Sequence, residues 1–594
     1  MSAIQRHTIL VFVLCTLSLC TFYSCANRGT GPQGGPKDSI PPVAVKSEPE
    51  NGALDFHGDR IEILFNEYIQ LDNIGQNLMM SPPQQNPPEV KARGKRLLIH
   101  FADSLSDSTT YTLDFGAAVC DYTERNPARN FAFAFSTGPE IDTLEMRGCV
   151  VNAEDLNPVT DALVGIHRNK HDSAFVSAPF TRIAKTDATG SFCIGNIHEG
   201  TYRLYALNDI SRDYRFSPGE DLAYSDSLLS PLDSAKHTLW LFSEHKSKLY
   251  LQRTLREQQH MIQLLFSAAA DNPPEIRAMR PSELDSTRTD SAWTDPNPYL
   301  LAIPSAHNDT ITIWLTDSAA IVLDTITLEA RYRRTDSLYN LEWYTDTLRA
   351  VWRAPRLTDK ARAALEREKR HRKLELRSNA RRTFELYDTL TVSGTTPLSR
   401  VAVDSIHLYE KIDTIFKPIL FTLAPRDSVS IRVQFIAKLE PGKAYELHVD
   451  SAAMHDVYGL ANHVQKFQLQ LKTPEDYSTL RVRVLPNSAQ IRVQLLNSKD
   501  QVLREESASP DGAFFQHLKP DGYYLRLYVD KNGDGEWTTG NWQEHRQPEP
   551  MYYYPEKIQT KANWDFEQEW DYTAKPQLQS KPKELIKASG SKKK

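Results

Sequence analysis

Two Asp-rich loops and a few cysteines hold most of the side chains in this 594-residue sequence whose types and spacing suit chemistry. In "DKNGDGEWTTGN", Asp530, Asn532 and Asp534 place oxygen donors at positions 1, 3 and 5 of a twelve-residue calcium loop. Gly535 stands at position 6, where the chain must turn sharply. The Glu536 carbonyl and Thr538 continue the pattern, but position 12, normally Glu, is Asn541, with Glu544 close enough to substitute. An earlier loop has Asp209, Ser211, Asp213, Ser217 and a proper Glu220 at position 12, yet Tyr214 where glycine is wanted. The two loops fail the pattern in complementary ways. The chemistry expected is structural calcium that stiffens a loop beside a sheet. The same residues also make strand-joining turns without metal.

Cys25 closes a short apolar run, 9–23, and opens the Gly/Pro-rich stretch "CANRGTGPQGGPKDSIPP". The run is too short to span a membrane and has the length of a signal-peptide core. Ser24 supplies the small residue needed before the cut. The reading is a lipoprotein signal peptide over 1–24, acylation of the Cys25 thiol, and a flexible linker over 25–40. Cys149 and Cys193 fall in two expected strands of one module and are candidates for a disulfide in an oxidising periplasm; the alternative is two small buried hydrophobes. No cysteine spacing suggests zinc.

These groups must be positioned by β-structure. Short runs rich in Val, Ile, Thr, Tyr and Phe alternate with Pro, Gly, Asp and Asn, and the length calls for several domains. The expected class is all-β and multidomain. A net charge of −6 argues against nucleic acid as a partner. The exception to the β texture is a basic stretch, 358–382, read as one long helix. Its residues Arg367, Lys369, Arg370, Arg372 and Lys373 are candidates for contact with anionic lipid or an acidic partner; otherwise the helix bridges two β-domains in solvent.

Two duplications organise the chain. Segments 101–137 and 435–473 share a strand, a turn and a Tyr-centred alternating strand, with Tyr111, Leu113 and Phe115 matching Tyr445, Leu447 and Val449. An "AA…D" turn and a closing strand follow. With the opening "PPVAV" and the strand "RIEILFNE", these residues resemble the bacterial Ig-like domain first described in S-layer proteins. That resemblance implies β-sandwiches over 41–138 and 384–474 and no chemistry. Segments 186–221 and 509–544 share a turn glycine, a strand, a "GTYRL" or "GYYLR" strand and the Asp-rich loop. With "GCVVNAEDLNPVTDALVGIH" upstream, they resemble the prealbumin-like, carboxypeptidase-regulatory-like modules, over 145–225 and 478–545. A β-rich domain is expected over 231–355, and an aromatic extension with a basic tail over 546–594.

The fold class expected is therefore Ig-like and prealbumin-like sandwiches in series with one long basic helix. The arrangement resembles the Ig-like-domain lipoproteins of Bacteroidota-type envelopes. No H-E-x-x-H, G-x-S-x-G or phosphate-binding glycine loop is present. The expectation is a non-enzymatic envelope lipoprotein, a scaffold or accessory subunit with an envelope protein partner. It would be anchored in the outer membrane; in the group it resembles an acidic cluster just after the acylated cysteine directs lipoproteins to the cell surface, and since residues 26–30 carry no acid the resemblance implies that it faces the periplasm. The alternatives are a glycan- or protein-binding lipoprotein using the Tyr/Trp-rich end, and a hydrolase acting on glycans.

Overall fold

The computed structural model describes residues 38–587 except 130, 245–247, 280–299, 338, 355–357, 361–362, 364–366, 368–371, 426–428 and 489. Cys25 and the apolar run before it lie outside the described residues. The chain divides into two compact units that meet at Thr143 and Leu144. Nearly all regular structure is strand, in sheets of two to five.

The first unit is one sandwich. Strands Ala44–Glu48, Arg60–Phe65, Arg96–His100 and Glu89–Arg93 lie side by side in that order, and Met79–Ser81, Thr110–Asp114 and Ala132–Ser136 form a second sheet. Alternation decides which side chains enter the core: Ile61, Ile63 and Phe65 from one sheet meet Tyr111, Leu113, Phe133 and Phe135 from the other. The Tyr111 hydroxyl accepts the Ser106 N–H at 2.8 Å and fixes the turn before its strand.

The second unit begins with a two-sheet sandwich over the first segment that resembles the prealbumin-like modules. Strand Leu144–Asn152 pairs antiparallel with Ser191–Ile197 and parallel with His237–Leu241. The opposite sheet runs Arg182–Lys185, Leu163–His167, Arg203–Leu207, Leu222–Tyr224. The same topology recurs at the end of the chain. Strand Ser478–Leu485 pairs antiparallel with Ala513–Leu518 and parallel with Asp565–Asp571, opposite Val502–Ser507, Ile491–Leu496, Gly522–Val529 and Met551–Tyr553. The closing strand of each copy thus lies beyond the segments that resemble the family, at Leu241 and Asp571. Much of the aromatic C-terminal stretch is core: Met551, Tyr553, Ile558 and Trp570 are buried.

Between the copies lie two more sandwiches. One joins the sheet containing Met261–Phe266 and Thr310–Leu315 to the sheet Glu275–Ala278, Thr325–Thr335, Leu341–Val351 around a single apolar core. The other covers the second segment that resembles the Ig-like domain, with Leu390–Val401 and Ser430–Ala437 facing Ile406–Ile412, Ala444–Val449 and Gln465–Gln470. Its Tyr445 hydroxyl accepts the Glu440 N–H at 2.7 Å, repeating the Tyr111 turn.

The basic stretch does not continue as helix to residue 382. Among the described residues of 358–382, only Asp359, Lys360, Ala363 and Arg367 are helical, and Leu376–Ser378 is a strand paired with Leu390–Val401. Leu374 and Leu376, two apart, are both buried in the second Ig-like core. That spacing matches a strand's period of two, which overrides the helical propensity of the surrounding Arg and Lys.

One buried carboxylate joins this domain to the module that follows. Glu385 is almost fully buried and receives Lys472 at 3.2 Å, Lys519 at 2.9 Å and the Tyr477 hydroxyl at 2.7 Å. Burial alone would raise its pKa, but the hydrogen bonds from Tyr477, Lys519 and Lys472 outweigh that and bring it from 4.5 down to about 2. The folded state therefore binds fewer protons than the unfolded one. The stabilisation is complete above the unfolded value and is lost as pH falls from about 4.5 towards 2. Glu385→Gln is expected to lower stability at neutral pH by about 2–3 kcal/mol. It should also flatten the acid limb of stability measured by denaturant titration across this range.

Candidate functional site

The two Asp-rich loops are the same device built twice. Asp530 Oδ1 and Oδ2 accept the N–H groups of Gly533 and Gly535 at 2.6 and 2.9 Å. Asp209 does the same for Arg212 and Tyr214 at 2.7 and 3.3 Å. The paired positions share a left-handed backbone: φ is 75° and 82° at Gly533 and Gly535, and 59° at both Arg212 and Tyr214. Tyr214 thus takes up the conformation for which glycine was wanted, at a cost of roughly 1–2 kcal/mol. Beside these, the Ser211 hydroxyl donates to Asp213, and the Asn532 amide to Asp534.

A buried glutamate closes each loop. Glu220 accepts Ile210 and Ser211 N–H groups on one oxygen and Ser217 N–H on the other, at 2.9, 3.0 and 3.1 Å. Glu549 accepts Lys531 N–H at 2.6 Å and Thr538 N–H at 3.0 Å. Both glutamates are 5% exposed. Each stands two residues before the strand that follows its loop, Leu222–Tyr224 or Met551–Tyr553.

In the second loop this is a correction to the spacing argument. Glu549 closes the loop, while Asn541 pairs with Arg546 across a small hairpin and Glu544 forms an ion pair with Arg546 at 2.9 Å. Neither Asn541 nor Glu544 supplies a twelfth ligand. Among the described residues no group of three or more His, Cys, Asp or Glu side chains could hold a metal ion. Asp530 and Glu549 are held by amide donors, and the Asp534 carboxylate accepts from Glu536 N–H, the Asn532 amide and the Thr538 hydroxyl.

The second loop is longer than the first, and its extra residues form an arm that reaches the first prealbumin-like module. Trp542, 6% exposed, enters a socket of Tyr224, Phe175 and Tyr205, with ring centroids at 4.9, 4.9 and 5.7 Å, meeting each edge-on. Phe175 comes from a short helix, Ser173–Ser177, inserted between two strands of the first copy, and stacks on Tyr205 at 4.2 Å. Around the ring, Thr539 donates to the Ser243 carbonyl at 2.7 Å and Gln547 to Asp226 at 2.7 Å. His545 lies 3.0 Å from Asp172, and the Trp542 backbone N–H donates to Glu244. Gly540 is required here, because a Cβ would lie 2.5 Å from the Phe242 ring. Between arm and module lies a cleft of about 670 Å³ lined by Glu154, Asp221, Glu244, Asp534 and Glu536 among others.

The remaining candidates are scattered. Cys149 and Cys193 are free thiols. They sit on neighbouring strands, but the register puts Cys149 opposite Ser191 and Cys193 opposite Arg147. Diagonal neighbours of this kind stand roughly 7–8 Å apart, beyond disulfide reach. The Cys193 thiol donates instead to Glu145. Of the basic candidates, Arg367, Arg372 and Lys373 are exposed, and Lys369 and Arg370 lie outside the described residues.

Two features escaped the sequence argument. One is the arm, whose only advance signal is the excess length of the second loop. The other is an open cleft of about 450 Å³ in the middle domain, where Tyr250, Trp343 and Tyr344 stand with Lys248 and Arg334. Here the Arg334 guanidinium lies 4.7 Å from the Tyr344 ring centre.

A family model of the bacterial Ig-like domain matches residues 38–137. No curated protein matches the chain. Among solved structures it is similar to the N-terminal part of the bacterial S-layer protein SbsC, at 10% identity over 30% of this chain and 47% of that one, with a TM-score of 0.16. It is also similar to the S-layer protein rSbsC(31-844), at 9% identity, 83% and 64% coverage and a TM-score of 0.13. A third likeness is to the major pilin subunit of Bacillus cereus, at 7% identity, 73% and 99% coverage and a TM-score of 0.12. The chain thus spans about half to two thirds of the two S-layer structures. The family match and the observed sheets together define a multidomain β-protein that carries a bacterial Ig-like domain.

Trp542→Ala is expected to cost about 3–5 kcal/mol, the usual range for emptying an aromatic socket. The loss should appear as faster proteolysis of the 539–547 arm while each sandwich keeps its strand signal. Chelation of divalent metal is expected to leave the thermal midpoint unchanged, and a rise of several degrees on adding calcium would refute this account of the loop.

Proposed function

We propose that this protein is a non-enzymatic lipoprotein of a Bacteroidota-type envelope, held in the outer membrane through Cys25 and facing the periplasm. There it serves as scaffold or accessory subunit of a membrane-associated assembly. The observation that carries this reading is the arm and its socket. The described residues are occupied by sandwiches, and the most elaborate polar and aromatic constellation joins one module to another. The carboxylates beside it are engaged as joints: Glu244 holds the arm and Glu549 closes the loop. Support for the anchor comes from the Cys25 signal pattern and the Gly/Pro-rich linker after it.

Cys25→Ser is expected to abolish incorporation of labelled palmitate and release the chain from the membrane fraction. Affinity purification of the tagged lipoprotein from gently solubilised membranes should recover a stoichiometric envelope protein. Neutralising Arg367, Lys369, Arg370, Arg372 and Lys373 together should lose it. Failure to recover any reproducible partner would sink the accessory-subunit reading.

A second reading, a glycan- or protein-binding lipoprotein, is favoured by one observation. The cleft at Tyr250, Trp343 and Tyr344 presents aromatic faces beside cations, a combination suited to anionic sugars. Binding to acidic glycans on an array, lost in Trp343→Ala, would move weight to this reading.

A further inference from the structure

The seam between the two prealbumin-like modules also buries a lysine. Lys581 follows the short helix Gln577–Ser580, and its side chain is 2% exposed. Its Nζ lies 3.0 Å from Asp500 Oδ2 and 2.9 Å from Asn157 Oδ1, and it stands 4.7 Å from the centre of the buried Tyr553 ring. It also donates to the Asp155 carbonyl at 2.5 Å. Asp500 comes from the second module and is 1% exposed at its side chain; Asn157 comes from the first.

A purely structural ion pair needs only Lys581 and Asp500. The surroundings of Asn157 go further. Its carboxamide oxygen accepts the backbone N–H of Lys587 at 3.0 Å, a donor placed to steady negative charge on that oxygen. Its Nδ2 donates to Asp155 Oδ2 at 2.6 Å, so the nitrogen that would leave is held by a carboxylate. Asp500 is itself oriented by the Tyr553 hydroxyl at 2.9 Å. Residue 158 is proline, which has no N–H to attack the Asn157 side chain, so the competing cyclisation of asparagine is blocked. The amine thus touches both the carboxamide and the Asp500 carboxylate in a dry site, where proximity alone is worth several powers of ten in rate. Burial also lowers the lysine pKa, favouring the neutral amine that acts as nucleophile.

We propose that Lys581 and Asn157 join in an intramolecular isopeptide bond. The neutral Lys581 amine attacks Asn157 Cγ and gives one of its two protons to the Asp500 carboxylate. The Nζ–Cγ bond forms, the Cγ–Nδ2 bond breaks, and Nδ2 takes the proton back from Asp500 and leaves as ammonia. No oxidant, cofactor or second substrate is consumed, and Asp500 is regenerated. The bond ties the C-terminal segment to the first module across the seam that the arm already closes. The inference goes beyond the envelope-scaffold reading and stands without it.

The test is the intact mass of the denatured full-length mature protein. The expected result is a mass lower than the sequence mass by one ammonia, with a proteolytic fragment in which peptides containing Asn157 and Lys581 are covalently joined. Asp500→Asn, nearly isosteric, and Lys581→Met should each restore the uncrosslinked mass while keeping the β-sheet circular dichroism. A wild-type mass equal to the sequence mass, after allowing for lipid, overturns the proposal. So does loss of one water with the joined peptide containing Asp500, which would mean that the carboxylate is the electrophile.

Discussion

The architecture of the second unit depends on a buried carboxylate that accepts backbone amides. Glu549 is almost entirely out of water, where an unpaired charge would be prohibitive. Its two oxygens are held by the N–H groups of Lys531 and Thr538, on opposite sides of the loop. Charge-assisted bonds of this kind are about twice as strong as neutral ones, so the loop is drawn closed from within. The closure pins the two ends of the arm that runs between Thr538 and Glu549, and that brings Trp542 to its socket. Glu220 makes the same closure in the first copy but carries no arm; there the loop lends Phe216 to the aromatic stack on Phe175, at 5.2 Å.

Much of the fold was legible because strand alternation leaves a strong mark. Tyr111, Leu113 and Phe115, and Tyr445, Leu447 and Val449, all fall on one face and all are buried. The duplications were legible for a related reason. The turns that end in Tyr111 and Tyr445 are held by the same tyrosine-to-amide bond, and a polar contact that specific restricts the sequence around it. The parallel closing strands were harder. His237–Leu241 and Asp565–Asp571 each return to the first strand of their module after a long connection, and local periodicity says nothing of such pairing.

The errors have physical causes. The basic segment was read as helix as far as 382 because Arg, Lys, Leu and Glu all favour helix; its described residues at 359, 360, 363 and 367 are helical, and the error lies in its end. Leu374 and Leu376 gain more by entering an existing core, and tertiary burial outweighs a few tenths of a kcal/mol per residue of propensity. Cys149 and Cys193 were rightly placed on adjacent strands, but a two-residue offset in register is invisible before pairing is known. In the second loop, counting twelve positions from Asp530 led to Asn541, because the arm is inserted before the closing glutamate. Anchoring the comparison on the strand that follows, not on the aspartate that begins the loop, aligns Glu549 with Glu220.

The two prealbumin-like copies have diverged into complementary halves. The first has the inserted helix Ser173–Ser177, which supplies Phe175 to the socket; in the second, strands Ile491–Leu496 and Val502–Ser507 are joined by a tight turn. The second has the arm; the first does not. A contact between unlike surfaces ordinarily repeats and yields open chains of molecules when every unit carries both surfaces. Here each copy carries only one, so a single pairing satisfies both. Because plug and socket belong to one chain, the effective concentration of each for the other far exceeds that of a second molecule. Duplication followed by unequal insertion therefore turns two similar sandwiches into a closed joint. It brings the beginning and the end of the second unit together, which sequence order alone would have left as beads on a string.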